Sequence, residues 1–285
     1  MTGSEVIASP GEVDFERRFG GLRRLYGVEG AQRVFDAHVV VVGIGGVGSW
    51  AAEALARSGV RRLSLVDLDH VAESNINRQV HAIGPALGMA KVQAMAERIA
   101  LIHPGCVVDP VEAFAGADNW HVLAQQLALG TDGTVGAVID ACDQVRAKEA
   151  IAAWALASGS LLVSVGAAGG KRLPQAIEAG DLADVTHDPL LARLRQRLRK
   201  HHGAARQGRI GVACVFSRES VAGPDASCVT DGGDGSLNCH GYGSVVSVTA
   251  SFGLCAAGLM LNALASGASK ISERASKAGK KDAII

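Results

Sequence analysis

Aromatic residues make up only 4% of this chain, so its core must be built mainly from Ala, Val and Leu. An apolar content of 48% supplies enough of them for a substantial core. Lys plus Arg equal Asp plus Glu at 28 each, and the zero net charge argues against a general polyanion binder. None of the six cysteines, at 106, 142, 214, 228, 239 and 255, forms a Cys-x-x-Cys pair, which excludes the usual paired-cysteine zinc ribbon. The histidines lack metal-ligand spacing. Residues 1 to 20 are charged and hold no apolar run, so no leader peptide is expected there. A cytoplasmic chain with reduced thiols is the expectation.

Charge is also missing locally. From Pro189 to Arg218 there are eight Lys or Arg and no acid. From Gly241 to Ser269 there is no charged residue at all, a length that could span a bilayer. Yet Ser244, Ser247, Ser251, Gly258 and Asn262 recur at helical spacing opposite Val245, Val248, Phe252, Cys255 and Leu259. Such a stripe favours a buried or interfacial helix, with membrane contact as the minority alternative.

What is present alternates between strand and helix. His38 to Ile44 is a β-branched run that feeds Gly43-Ile44-Gly45-Gly46-Val47-Gly48, and Trp50 to Ser58 continues as an Ala-rich helix. Strands are expected at Arg62–Val66, Cys106–Val111, Val135–Ile139, Leu161–Val165 and around Ile177 and Val212. Helices are expected at Phe15–Asp36, Lys91–His103, Val145–Ala157 and 190–202. The pattern predicts an α/β fold: a Rossmann-like, doubly wound, mainly parallel sheet with a C-terminal elaboration. The expected organisation is a disordered tail over 1–14, one domain over 15–267 and a second tail over 268–285. Within that domain the nucleotide-binding core covers 15–165.

A glycine loop between strand and helix lets backbone N–H groups approach phosphate at the positive end of a helix dipole. Asp67, ending the second strand, suits ribose hydroxyls, and a nicotinamide dehydrogenase would show the same two features. The next residues separate the readings. Asp69, Ser74, Asn75, Arg78, Gln79 and Lys91 place cations and amides where a hydride-transfer enzyme needs few. Splitting a triphosphate between its α and β phosphates needs several, because negative charge builds there. Asp140 and Asp143 are candidate Mg²⁺ ligands; the alternative is that they cap the next helix. The dehydrogenase reading also lacks a Tyr-x-x-x-Lys pair, since only Tyr26 and Tyr242 exist.

As a set, the Gly43–Gly48 loop, Asp67-x-Asp69, Ser74-Asn75-x-x-Arg78-Gln79, Lys91 and Asp140-x-x-Asp143 resemble the adenylating domain of ubiquitin-activating enzymes. The bacterial relatives of that domain activate sulfur carriers. The resemblance implies ATP and Mg²⁺ as cofactors. It assigns Gly43, Gly45, Gly46, Gly48, Asp67, Asp69, Ser74, Asn75, Arg78, Gln79 and Lys91 to ATP, with Arg78, Lys91 and Asp143 catalytic and Asp143 serving the metal.

Further motifs resemble one branch, the tRNA threonylcarbamoyladenosine dehydratases. They are Arg18-Phe19-Gly20-Gly21 through Gly27, Gly169-Gly170-Lys171, Asp188-Pro189-Leu190 with the basic run behind it, Val215–Glu219, and Val248–Gly253. The missing zinc pairs agree with that branch. The implied substrate is a tRNA carrying threonylcarbamoyladenosine, in a homodimer. The implied reaction is adenylation of the threonyl carboxylate, followed by attack of the neighbouring carbamoyl group within the same nucleoside.

Intramolecular attack needs no enzyme nucleophile. Lys171, Arg193, Arg195, Arg197, Arg199 and Lys200 are the candidate tRNA contacts, and a solvated helix face is the plain alternative. The sequence departs from the relatives at Gly21, where they carry an arginine that reaches the neighbouring subunit's phosphates; Arg24 or Arg18 is the replacement expected. Leu173 stands where the branch commonly has an acid before proline. Two competing functions remain: activation of a ubiquitin-like sulfur-carrier protein, and a non-catalytic sulfur-transfer partner that keeps a nucleotide site.

Overall fold

The computed structural model describes residues 14–127, 136–223, 225, 227, 242–269 and 271. Both expected tails fall almost wholly outside the described residues, as do Cys228 and Cys239.

Seven strands form one sheet in the order β3-β2-β1-β4-β5-β7-β6. They are β1 (His38–Val42), β2 (Arg62–Val66), β3 (Val107–Val111), β4 (Ala137–Asp140), β5 (Leu161–Val165), β6 (Ile177–Asp181) and β7 (Ala213–Ser217). All neighbours are parallel except β6 on β7. The all-valine stretch of β1 sits between β2 and β4 and is buried on both faces, as a central parallel strand requires. Pro110 is confined to β3, at the sheet edge, where a missing N–H costs least.

The helices are α1 (Phe15–Phe19), α2 (Gly21–Phe35), α3 (Gly48–Arg57), α4 (Lys91–Ile102), α5 (Trp120–Gln126), α6 (Val145–Ser158), α7 (Pro189–His201) and α8 (Val246–Ser266). The single helix expected over 15–36 is two, with a further kink at Gly27, whose φ of 75° no helix accommodates. Helix α5 was not expected from the sequence pattern. Helices α2, α3, α4 and α8 cover one face of the sheet around Val39, Val41, Ile139 and Val163, and α5, α6 and α7 cover the other around Val40, Val138 and Leu162.

Helix α8 is long and apolar enough to cross a membrane, but it lies in the core against α2, α3 and the sheet. Val248, Phe252, Ala256 and Met260 are 0% exposed. The apolar stripe is narrower than expected: Val245 and Cys255 are exposed, and Leu254 beside them is 50% exposed. Gly253 permits the close crossing, since a Cβ there would stand 2.4 Å from the Val47 carbonyl oxygen on the approach to α3.

Candidate nucleotide site

The carboxyl ends of β1, β2 and β4 meet at the glycine loop, the place where open parallel sheets bind ligands. The loop is shaped by its own tight fit. Gly43 has φ of 85° and would place a Cβ 2.9 Å from Ala141 O and Cys142 N, and a Cβ at Gly48 would meet Gly43 O at 1.8 Å. Gly45 differs, because nothing lies within 4 Å of where its Cβ would be. No packing among the described residues demands glycine there, and the space is open to a ligand.

Asp67 stands directly beside the loop. Its Oδ2 accepts the Ile44 N–H at 2.6 Å and its Oδ1 accepts the Asp69 N–H at 2.8 Å, leaving further lone pairs for hydroxyl donors. Burial raises its pKa above the usual carboxylate value, opposed by the charge of Lys91 and by the two N–H groups. Lys91 opens α4, is buried, and donates to Asp69 Oδ2 at 2.6 Å.

Arg78 is buried next to Gly46, whose Cβ would fall 3.3 Å from Arg78 Cγ. Its guanidinium donates to Ser74 O at 2.6 Å and to Asn77 Oδ1 at 2.9 Å. Trp50 Nε1 and Thr249 Oγ1 hold its carbonyl, at 3.0 and 3.3 Å. Asn77 Nδ2 donates to Ser244 O at 2.9 Å, so the Ser74–Gln79 segment is tied to the start of α8. Asn75 accepts the Ala72 N–H at 3.1 Å and shapes the turn. Gln79 Oε1 is buried without a protein partner among the described residues.

Two assignments from sequence are corrected. Asp140 is not free to bind a metal: it is 0% exposed, and its carboxylate accepts from Lys148 Nζ at 3.0 Å and Ser164 Oγ at 2.7 Å. Asp143, three residues on, is exposed and remains the available carboxylate. One carboxylate with phosphate oxygens suits Mg²⁺, which keeps most of its other positions for water. Lys171 is not a surface contact for RNA, because it is buried and donates to the carbonyls of His187, Ser217 and Glu219 at 3.3, 3.1 and 2.8 Å. Arg24, expected to reach a neighbouring subunit's phosphates, lies on α2. Its neighbour Tyr26 bonds Asn262 at 3.0 Å, about 20 Å along α8 from Thr249 at 1.5 Å rise per residue.

Helix α7 buries Leu191, Leu194 and Leu198 as expected, but most of its arginines serve the fold. Arg195 donates to the Leu182 and Val185 carbonyls at 3.0 and 2.8 Å, Arg197 pairs with Glu149, and Arg199 donates to Ala205 O at 3.0 Å. Arg193 and Lys200 are exposed.

Among the described cysteines, Cys214 is buried, Cys106 and Cys142 are partly buried and Cys255 is exposed. Burial pushes the Cys142 and Cys214 thiols well above their usual range, and that of Cys106 up to about 11. A cavity of about 360 Å³, lined by Phe15, Arg23, Phe35, Arg61 and His103, lies at the amino ends of β2 and β3, away from the loop.

The ThiF family profile matches residues 18–277. A tRNA threonylcarbamoyladenosine dehydratase of Escherichia coli (strain K12) is 44% identical over 251 residues, covering 85% of this chain and 91% of the relative. The enzyme of the same name from Haemophilus influenzae is 37% identical over 256 residues, covering 88% and 94%. The solved structure of E. coli tRNA N6-threonylcarbamoyladenosine dehydratase, TcdA, in complex with ATP has a TM-score of 0.75 at 42% identity, covering 88% of this chain and 95% of that one. E. coli MccB, at 12% identity and a TM-score of 0.56, shares the fold alone. The chain belongs to the ThiF family.

Proposed function

We propose that this chain is an ATP-dependent tRNA threonylcarbamoyladenosine dehydratase. The observation that carries the reading is the convergence of Asp67, Arg78 and Lys91 on a glycine loop whose Gly45 is bounded by open space. Relatives that bear this activity by name, and a similar structure solved with ATP, support it. The functional unit is one adenylation domain over 15–267, working in the cytoplasm.

In this mechanism the loop N–H groups and the start of α3 hold the phosphates, and Asp67 accepts the ribose hydroxyls. The threonyl carboxylate oxygen attacks the α-phosphorus, and pyrophosphate leaves. Arg78 and Lys91 supply positive charge where that charge develops, in a site whose dipoles are already oriented. Asp143 would hold Mg²⁺, which adds charge neutralisation at the phosphates. The carbamoyl group of the same nucleoside then bonds to the activated carbonyl carbon, AMP departs and a ring closes. Both reacting groups sit on one nucleoside, so proximity replaces an enzyme nucleophile.

The working unit is a homodimer in which Arg24 serves the partner's phosphates; its neighbour Tyr26 is held at the far half of α8. Leu25 at 73% and Val28 at 66% exposure flank it on α2, which supports a covered face there. Activation of a sulfur-carrier protein is the second reading. It is disfavoured by the lack of paired cysteines and by the raised thiol pKa values that a thioester-forming cysteine would have to overcome.

The test incubates the protein with Mg-ATP and tRNA carrying threonylcarbamoyladenosine, and reads nucleosides by mass spectrometry. A tRNA-dependent loss of one water, with AMP and pyrophosphate release, is expected, and Asp143→Ala abolishes it. Pyrophosphate exchange that appears only with a ubiquitin-like carrier protein would transfer the chain to the second reading.

A further inference from the structure

Asp140 and Lys148 form an ion pair that is completely shut from solvent, directly beneath the nucleotide site, and the mechanism uses neither. Burying two charges costs desolvation that their attraction seldom more than offsets, so such a pair is poorly explained as a source of stability. What it holds is better defined. Asp140 is the last residue of β4. Its Oδ2 is gripped from α6 by Lys148 Nζ at 3.0 Å and from β5 by Ser164 Oγ at 2.7 Å. Its Oδ1 accepts from the Cys142 backbone N–H at 3.3 Å and the Cys142 thiol at 2.9 Å. Lys148 also donates to the Asp140 carbonyl at 3.2 Å. Strand, loop and helix are thereby locked to one another.

The locked loop touches the site twice. Gly43 turns against the backbone of Ala141 and Cys142, at 2.9 Å from where its Cβ would be, and Ala141 N–H donates to Val42 O at 2.8 Å. The next residue is Asp143, the exposed carboxylate. We propose that Lys148 is a positioning residue: through Asp140 it fixes the β4–α6 loop, which seats Gly43 and sets where Asp143 meets the phosphates. This rests on the adenylation reading given above. Lys148 touches neither nucleotide nor metal in this role, in the way that partners behind a metal ligand set its aim.

The deciding variant is the double Asp140→Asn/Lys148→Met, which removes both charges and leaves neither uncompensated. ATP affinity is measured by calorimetry with Mg²⁺ and with EDTA, alongside amide hydrogen exchange over 43–48 and 141–144. The double variant is expected to unfold cooperatively, to weaken Mg-ATP binding about tenfold, to lose protection in both segments, and to bind tRNA unchanged. Wild-type affinity and exchange in the folded double variant would overturn the proposal.

Should the double variant not fold, Ser164→Ala decides instead. It removes one hydrogen bond from Asp140 and is expected to weaken Mg-ATP about threefold with raised exchange over 141–144. No change in either quantity would also overturn the proposal. Asp143→Ala separates the two ideas: if it leaves Mg-ATP affinity unaltered, the metal role of Asp143 falls, while the exchange results still judge the clamp.

Discussion

Gly45 and His81 illustrate how single residues report on the site. Most loop glycines are required by contacts inside the chain, but Gly45 is not. Gly45→Ala is therefore expected to keep the wild-type melting temperature and to lose ATP affinity by tenfold or more, about 1.4 kcal/mol per factor of ten. Calorimetry with a thermal melt checks this, and a variant that binds normally would remove the loop from the phosphates.

His81 is buried, neither ring nitrogen has a partner among the described residues, and its pKa is lowered to about 4 by burial and by the charges of Lys91 and Arg98. The unfolded chain takes up a proton near pH 6.5 and the folded one does not. Stability is therefore complete above pH 6.5 and declines as pH falls toward 4, by on the order of 3 kcal/mol. His103, lowered by burial and by Arg18, acts in the same direction. Denaturant titrations between pH 4 and 7 should show this slope, and His81→Leu should flatten it.

At the scale of elements, α7 divides its cations between two tasks. Arg195 and Arg197 tie the helix to the 182–185 segment and to α6, while Arg193 and Lys200 reach solvent. Replacing Arg193 and Lys200 by Ala should weaken tRNA binding and lower its salt slope by about one for each phosphate no longer neutralised, with no change in melting temperature. Arg195→Ala should do the reverse, lowering stability by about 1–2 kcal/mol because two carbonyls are left without their donor. Filter binding at several salt concentrations distinguishes them. Unchanged tRNA affinity in the Arg193/Lys200 variant would mean that α7 is a solvated face and the RNA lies elsewhere.

For the whole molecule the decisive question is whether one chain makes a complete site. Helix α2 packs along the far half of α8, away from the Thr249 end that meets the glycine loop. If the partner completes the site, Arg24→Ala and Asp143→Ala variants are each inactive alone and regain partial activity when mixed and allowed to exchange. A mixture that stays inactive despite exchange would confine catalysis to one chain. Cys255 and Asn262 lie on one side of α8 and Leu254 flanks them, all exposed, so Leu254→Glu with Leu25→Glu tests whether this face is covered in solution. Sedimentation should register a monomer.

The order of strands and helices, the glycine loop and the acid at the end of β2 were legible in the sequence. Each follows from a local rule: β-branched runs bury, helical periodicity shows one face, and a tight turn needs glycine. Arg78, Lys91 and Asp67 were also legible as a group, because all three lie close to the loop along the chain. Sequence patterns failed wherever a side chain's partner was distant. Asp140 read as a metal ligand and Lys171 as a surface cation, since a one-dimensional pattern shows charge but not burial.

Lys148 was passed over although it precedes Ile151 and Ala152 on the core face of α6 by helical spacing. The cations of α7 were all read as candidate tRNA contacts, and only the carbonyls of another segment set Arg195 apart. Local composition thus determined the elements and the nucleotide loop. Tertiary packing decided which charges are free to act, because a charge buried beside a partner is fixed by that partner and one left in water is not.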